Sequence, residues 1–153
     1  AARIEDCLGR LSEDQIWQRG GENQNAVGNL VLHLCGNVRQ WIGHGAAGLP
    51  DVRDRDAEFA ARGGLSREEL AARLRSVVGE ATGILRQLPP ERLLETVVLQ
   101  GYRVTVLEAI YHAVEHFSMH TGQIIYATKA MTGEDLGYYR HLSNPESRGD
   151  PTP

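Results

Sequence analysis

Three of the six histidines in this 153-residue chain, His112, His116 and His120, recur at intervals of four. Four residues turn an α-helix by about 400°, so neighbours in the series differ by roughly 40° and share a face. Adjacent members lie about 6 Å apart along the axis, close enough for two imidazoles to share one ion. The outer pair lies about 12 Å apart, too far for both to reach one ion through bonds of about 2.1 Å. At most two of the three therefore serve one metal, and another element must supply the rest.

Two registers compete. His112-Ala113-Val114-Glu115-His116 matches H-x-x-E-H, an inverted zinc-protease pattern with Glu115 as the base. That chemistry also needs an acidic ligand downstream, and Glu134, Asp135, Glu146 and Asp150 fall at or beyond the expected helix end. The second register pairs His116 with His120, followed at once by Thr121-Gly122-Gln123. A third ligand is then available in His33, which shares a helical face with Leu30, Asn37 and Trp41. A histidine on an apolar face is more often a hydrogen-bonded core residue than a ligand. Facing helices of a bundle are, however, a common seat for metals. The residues alone leave both readings of His33 open.

The elements that must position these side chains are legible from start and stop signals. Ala1–Leu8 is too short to be a stable helix alone and reads as the tail of a longer one. Ser12-Glu13-Asp14-Gln15 has the form of a capping box for a short turn through Trp17, and Gly20-Gly21 break the pattern. A second helix is expected from about Asn25 to His44. Asp51–Arg62, alternating acids and arginines, reads as a solvated connection. Ser66 and Glu69 open a third helix that runs to about Leu88, before Pro89-Pro90. Its face is Leu70, Leu74, Val77, Val78, Ala81, Ile84 and Leu88. Thr96–Leu99 and Tyr102–Val104 flank Gln100-Gly101 and predict a small hairpin. Thr105 and Glu108 cap a fourth helix to about Met131, with Gly133 as its stop. The sum is an all-α antiparallel four-helix bundle with a small β-hairpin before the last long helix. Residues 1–142 form one domain and residues 143–153 a flexible tail.

Composition narrows the function classes. Hydrophobic residues make up 41% and charged residues 24%, which is globular and excludes disorder. A formal net charge of -4 argues against a general nucleic-acid binder. No apolar run reaches the ~18–20 residues of a membrane span, and no signal peptide leads the chain. Two cysteines cannot staple a chain of this length, so a reducing cytoplasm is the natural compartment. Cys35 lies about 200° around the helix from His33 and reads as core, and Cys7 shows no nucleophile pattern. Gly36 and Gly122 read as sites of close helix approach, and Phe117, Met119 and Met131 as core. His44 and His141 read as surface residues.

Several segments carry a family resemblance. Asn29-Leu30-Val31-Leu32-His33-Leu34-Cys35-Gly36-Asn37 resembles the hL-x-H-L-x-G-N stretch of DinB-like (YfiT-like) proteins. His116 with Ser118-Met119-His120-Thr121-Gly122-Gln123-Ile124 resembles their H-x-x-x-H-x-G-Q-I signature. Arg53–Phe59 and Val106–Ile110 resemble an uncharacterised bacterial branch of the same superfamily. The resemblance implies an up-down-down-up bundle, often a homodimer, with one divalent metal on His33, His116 and His120. His112 matches no ligand position and is expected near the mouth of the site.

Three neutral imidazoles would leave at least one coordination position open, the catalytic rather than the structural pattern. Zinc, nickel, copper and iron all suit imidazole. The resemblance implies a metal-dependent thiol transferase or isomerase with a low-molecular-weight thiol among its small-molecule partners. The open position also suits a hydrolase. The acidic balance and the lack of an apolar span predict neither nucleic acid nor membrane as partner. The alternative is a non-catalytic metal-binding stress-response or interaction protein. Asn37, Gln123 and Glu115 are the expected partners that orient the imidazoles.

Overall fold

A computed structural model describes residues 1–143. The expected tail, from residue 144 on, lies outside the described residues. The fold is mostly helical, with one two-stranded hairpin. In chain order it comprises α1 (Ala2–Arg10), α2 (Glu13–Trp17), α3 (Val27–Val38), a π-helical continuation (Arg39–Ala46), α4 (Arg55–Ala60) and α5 (Arg67–Gln87). A 3₁₀ turn (Pro90–Leu94), β1 (Thr96–Leu99), β2 (Tyr102–Thr105), α6 (Val106–Thr132) and α7 (Arg140–Ser143) complete it. Among the described residues no helix is long and apolar enough to cross a membrane.

The predicted starts form as physical caps. The Ser12, Ser66 and Thr105 hydroxyls accept the amides of Gln15, Glu69 and Glu108, whose side chains reach back to the cap amides. Gly133, at φ 71, ends α6 in the left-handed region that glycine tolerates. Gln100 and Gly101, at φ 51 and 83, form the two-residue turn that sets Leu99 opposite Tyr102.

The core lies where α3 meets α5 and α6, with α1 closing one side against α5 and α6. Ile4, Leu8, Leu34, Leu70, Leu74 and Ile124 are fully buried there. The predicted faces of α3 and α5 point inward, although Val78, Ala81, Ile84 and Leu88 are only partly covered. Met119, expected in the core, is 53% exposed. Its position faces outward because the buried stripe of α6 runs through Ala109, Ala113 and Ile124.

The segment expected to be a solvated connection departs most from the sequence reading. It contains α4, and its Glu58 is buried. Asp54 caps α4 by accepting the Ala57 amide. The fully buried Asn29 amide holds the far end, donating to the Glu58 and Ala61 carbonyls at 2.9 Å each. Its oxygen accepts from Arg19 and from the Ala26 amide, so every polar valence of Asn29 is used. Arg19 also donates to the Phe59 carbonyl. A six-residue helix too short to stand alone is thus pinned onto α3.

Candidate metal centre

α3 supplies His33, almost fully buried, and α6 supplies His116 and His120, both half-buried. The three Nε2 atoms converge. His33 Nε2 stands 3.0 Å from His116 Nε2, and His120 Nε2 stands 3.2 Å from the same atom. Together they form a group that could hold a metal ion. Two nitrogens bound tetrahedrally at 2.0–2.1 Å stand about 3.3–3.4 Å apart, close to the spacing seen.

The remaining ring nitrogens show which lone pairs point inward. His33 Nδ1 lies 2.9 Å from Glu58 Oε2, and an ionised carboxylate only accepts, so Nδ1 carries the proton. His120 Nδ1 lies 2.6 Å from the amide oxygen of Gln123, with the same consequence. In its neutral form each of these rings turns an unprotonated Nε2 toward His116. Three ring nitrogens packed this closely can share at most one or two protons, and a cation relieves the lone-pair repulsion that remains. The donor set fits a metal of the zinc, nickel, copper or iron type.

Electrostatics point the same way. Burial foremost, then the neighbouring His120 and His33, push the His116 imidazole down to about 3. Burial likewise lowers His120 against the opposing pull of Gln123. Both rings are neutral at neutral pH, the state a ligand requires.

Behind His33 stands a network that periodicity did not reveal. Arg53, its side chain 4% exposed, grips Glu58 with two bonds, Nε to Oε1 at 2.8 Å and Nη2 to Oε2 at 2.9 Å. Burial alone would raise the Glu58 carboxyl, but Arg53 and then His33 outweigh it and hold it below the usual carboxylate range. Gln40, on the π-helical turns, accepts from Arg53 and from Gln100 at the hairpin tip and donates to Asp51. The hairpin is thereby tied to His33 through Gln40, Arg53 and Glu58. Gly36 makes room for this carboxylate: a Cβ there would collide with Glu58 Oε1. The expected close approach at Gly36 is therefore to a side chain. Gly122 has open space around it and serves no such purpose.

Other expected residues fall as follows. Gln123 orients His120, whereas Glu115 is exposed and touches none of the three histidines. The H-x-x-E-H register is not assembled, because His112 stacks on Trp41 with ring centres 3.8 Å apart. Asn37 is buried, but its oxygen has no hydrogen-bond partner. Phe59 packs its ring 4.6 Å from that of His33. Cys7 and Cys35 are buried and unpaired, and burial pushes the Cys35 thiol up to about 12. His44 and His141 are half-buried, and His44 bonds the Leu49 carbonyl. Arg53 and Glu58 were visible in sequence only as part of the segment that resembles the bacterial branch.

The fold has counterparts among solved structures. A conserved protein from Enterococcus faecalis superposes with a TM-score of 0.72 at 19% identity, over 87% of this chain and 91% of that one. A DinB-like protein, YjoA, from Bacillus subtilis superposes with a TM-score of 0.67 at 18% identity, over 88% of this chain and 87% of that one. At such identities the likeness is one of fold. The chain belongs to the DUF1572 family, described as a protein of unknown function, whose model matches residues 2–148. The curated proteins contain no match.

Proposed function

We propose that this protein binds one divalent transition metal through the Nε2 atoms of His33, His116 and His120 and uses it in thiol-transfer or hydrolytic chemistry. The observation that carries the reading is the convergence of those nitrogens, two of them with their lone pairs fixed inward by Glu58 and Gln123. When bound, such an ion supplies Lewis acidity that activates water or a substrate thiol. Among the described residues no carboxylate joins the three imidazoles, so the charge of the ion would stay uncancelled by them.

The chain's own groups prepare the site. Glu58 and Arg53 hold His33 rigid and dry, while Gln123 holds His120 at the exposed edge. A groove of about 470 Å³ beside Gln123, lined also by Leu30, Tyr126 and Met131, gives a small molecule room next to this edge. The same reading takes α1, α3, α5 and α6 as an up-down-down-up bundle, one domain over residues 1–142. It keeps the homodimer that the resemblance implies and the reducing cytoplasm that two unpaired cysteines suit.

Elemental analysis of protein purified without a nickel column tests the metal. One ion per chain is expected, and a His116→Ala variant that keeps full stoichiometry rejects the assignment. Titrating cobalt-substituted protein with bacillithiol, mycothiol and glutathione then tests the chemistry. A shift of the visible bands supports thiol binding; unmoved bands with all three favour a non-catalytic metal protein.

A further inference from the structure

Two of the three candidate ligands have a partner on the ring nitrogen that faces away from the site, and the third does not. His116 Nδ1 is buried and has no hydrogen-bond partner. A neutral imidazole that gives Nε2 to an ion must carry its proton on Nδ1, so this atom becomes a buried donor. Leaving such a donor unsatisfied carries the full desolvation penalty of the group, which would count directly against metal binding.

Among the described residues, the other buried side-chain atoms without partners are Arg19 Nε, Trp41 Nε1 and Asn37 Oδ1. The first two are donors. Asn37 Oδ1 is the one acceptor, and its residue is only 2% exposed. Asn37 follows His33 by four residues on α3, hence on the same face, and that face packs against α6. Trp41 follows Asn37 by four more, and its ring stacks on His112, whose own ring centre is 5.5 Å from that of His116. The unpaired acceptor and two unpaired donors thus lie on elements packed against one another, α3 and its π-helical continuation on one side and α6 on the other.

We infer that Asn37 is a positioning residue for His116, accepting the proton of Nδ1 through one internal water when Nε2 holds the metal. The valences balance. Such a water accepts from His116 Nδ1–H and from Trp41 Nε1–H and donates to Asn37 Oδ1, which satisfies three groups at once and gives the water three partners. Each ligand then has its own orienting group: Glu58 for His33, Gln123 for His120 and Asn37 for His116. The inference rests on the metal reading above.

The test compares wild type, Asn37→Leu and Asn37→Asp, each titrated with zinc and observed by ¹H–¹⁵N correlation of the histidine rings. In zinc-loaded wild type the His116 Nδ1–H proton is expected to exchange slowly. Asn37→Leu, close to Asn in volume and without an acceptor, should lose that protection and weaken zinc about 10–100-fold, while the melting temperature of the metal-free protein does not fall. Asn37→Asp, a stronger acceptor, should keep the proton protected and move its resonance downfield. Asn37→Leu with the wild-type zinc affinity and a protected Nδ1–H overturns the assignment. If Asn37→Leu does not fold, Asn37→Asp decides alone, and an unmoved resonance overturns it. Wild type that takes no zinc at all fails the metal reading instead, an outcome distinct from a variant that matches wild type.

Discussion

The two sides of the histidine cluster are built differently. His33, on the α3 side, is buried and backed by successive layers: Glu58, then Arg53, then Gln40 and the hairpin tip. His116 and His120, on the α6 side, are half-buried, and the bond from His120 to Gln123 ends on an exposed side chain. A buried ion pair seldom stabilises a fold in net terms, because desolvating both charges offsets their attraction. Its value here lies in position: the bidentate Arg53–Glu58 pair fixes His33. One side of the histidine cluster is thus buried and braced, and the other opens toward solvent.

The contrast breaks most severely at Glu58. Glu58→Ala leaves Arg53 buried without its partner and should cost about 3–5 kcal/mol of stability, measured by urea denaturation of the metal-free protein. Zinc affinity measured by calorimetry should fall with it, about 10–100-fold.

Acid attacks both sides in the same direction. His116 titrates near 3 in the fold against 6.5 free, so between these values the unfolded chain binds a proton that the folded chain refuses. Metal-free stability is therefore complete above pH 6.5 and falls as pH drops toward 3. Glu58, held low, loses its contribution over the acid end of the same range. Melting temperatures of the metal-free protein from pH 8 to pH 4 should decline steadily, and a rise on acidification would contradict the assigned burial of His116.

Two glycines separate the sides more finely. Gly36→Ala places a methyl group against the Glu58 carboxylate and should destabilise by about 1–3 kcal/mol. Gly122→Ala, in open space within α6, should stabilise by about 0.5–1 kcal/mol. Thermal melts of the pair give opposite signs if the α3 side is packed and the α6 side is free.

The sequence read well wherever a local signal decides structure. Three capping boxes, the Gln100-Gly101 turn and the Gly133 stop each act within a few residues, and each forms as read. The meeting of His33 with His116 came from the family motif, since no periodicity links positions 83 residues apart. What escaped was everything settled by tertiary contact. The Arg53–Phe59 stretch looks solvated because its charges alternate, yet Glu58 is buried once Arg53 neutralises it and Asn29 pins the backbone. Glu115, chosen for its neighbours in sequence, points to solvent, and Gly122, chosen with Gly36, meets nothing.

X-ray absorption of the zinc-loaded protein is the most direct measure of whether these three histidines hold one ion. The expected spectrum has three imidazole nitrogens at about 2.0–2.1 Å and one further light ligand, with an imidazole lost in each of His33→Ala, His116→Ala and His120→Ala. A sulfur in the shell without added thiol, or an unchanged imidazole count in any of these variants, would contradict it.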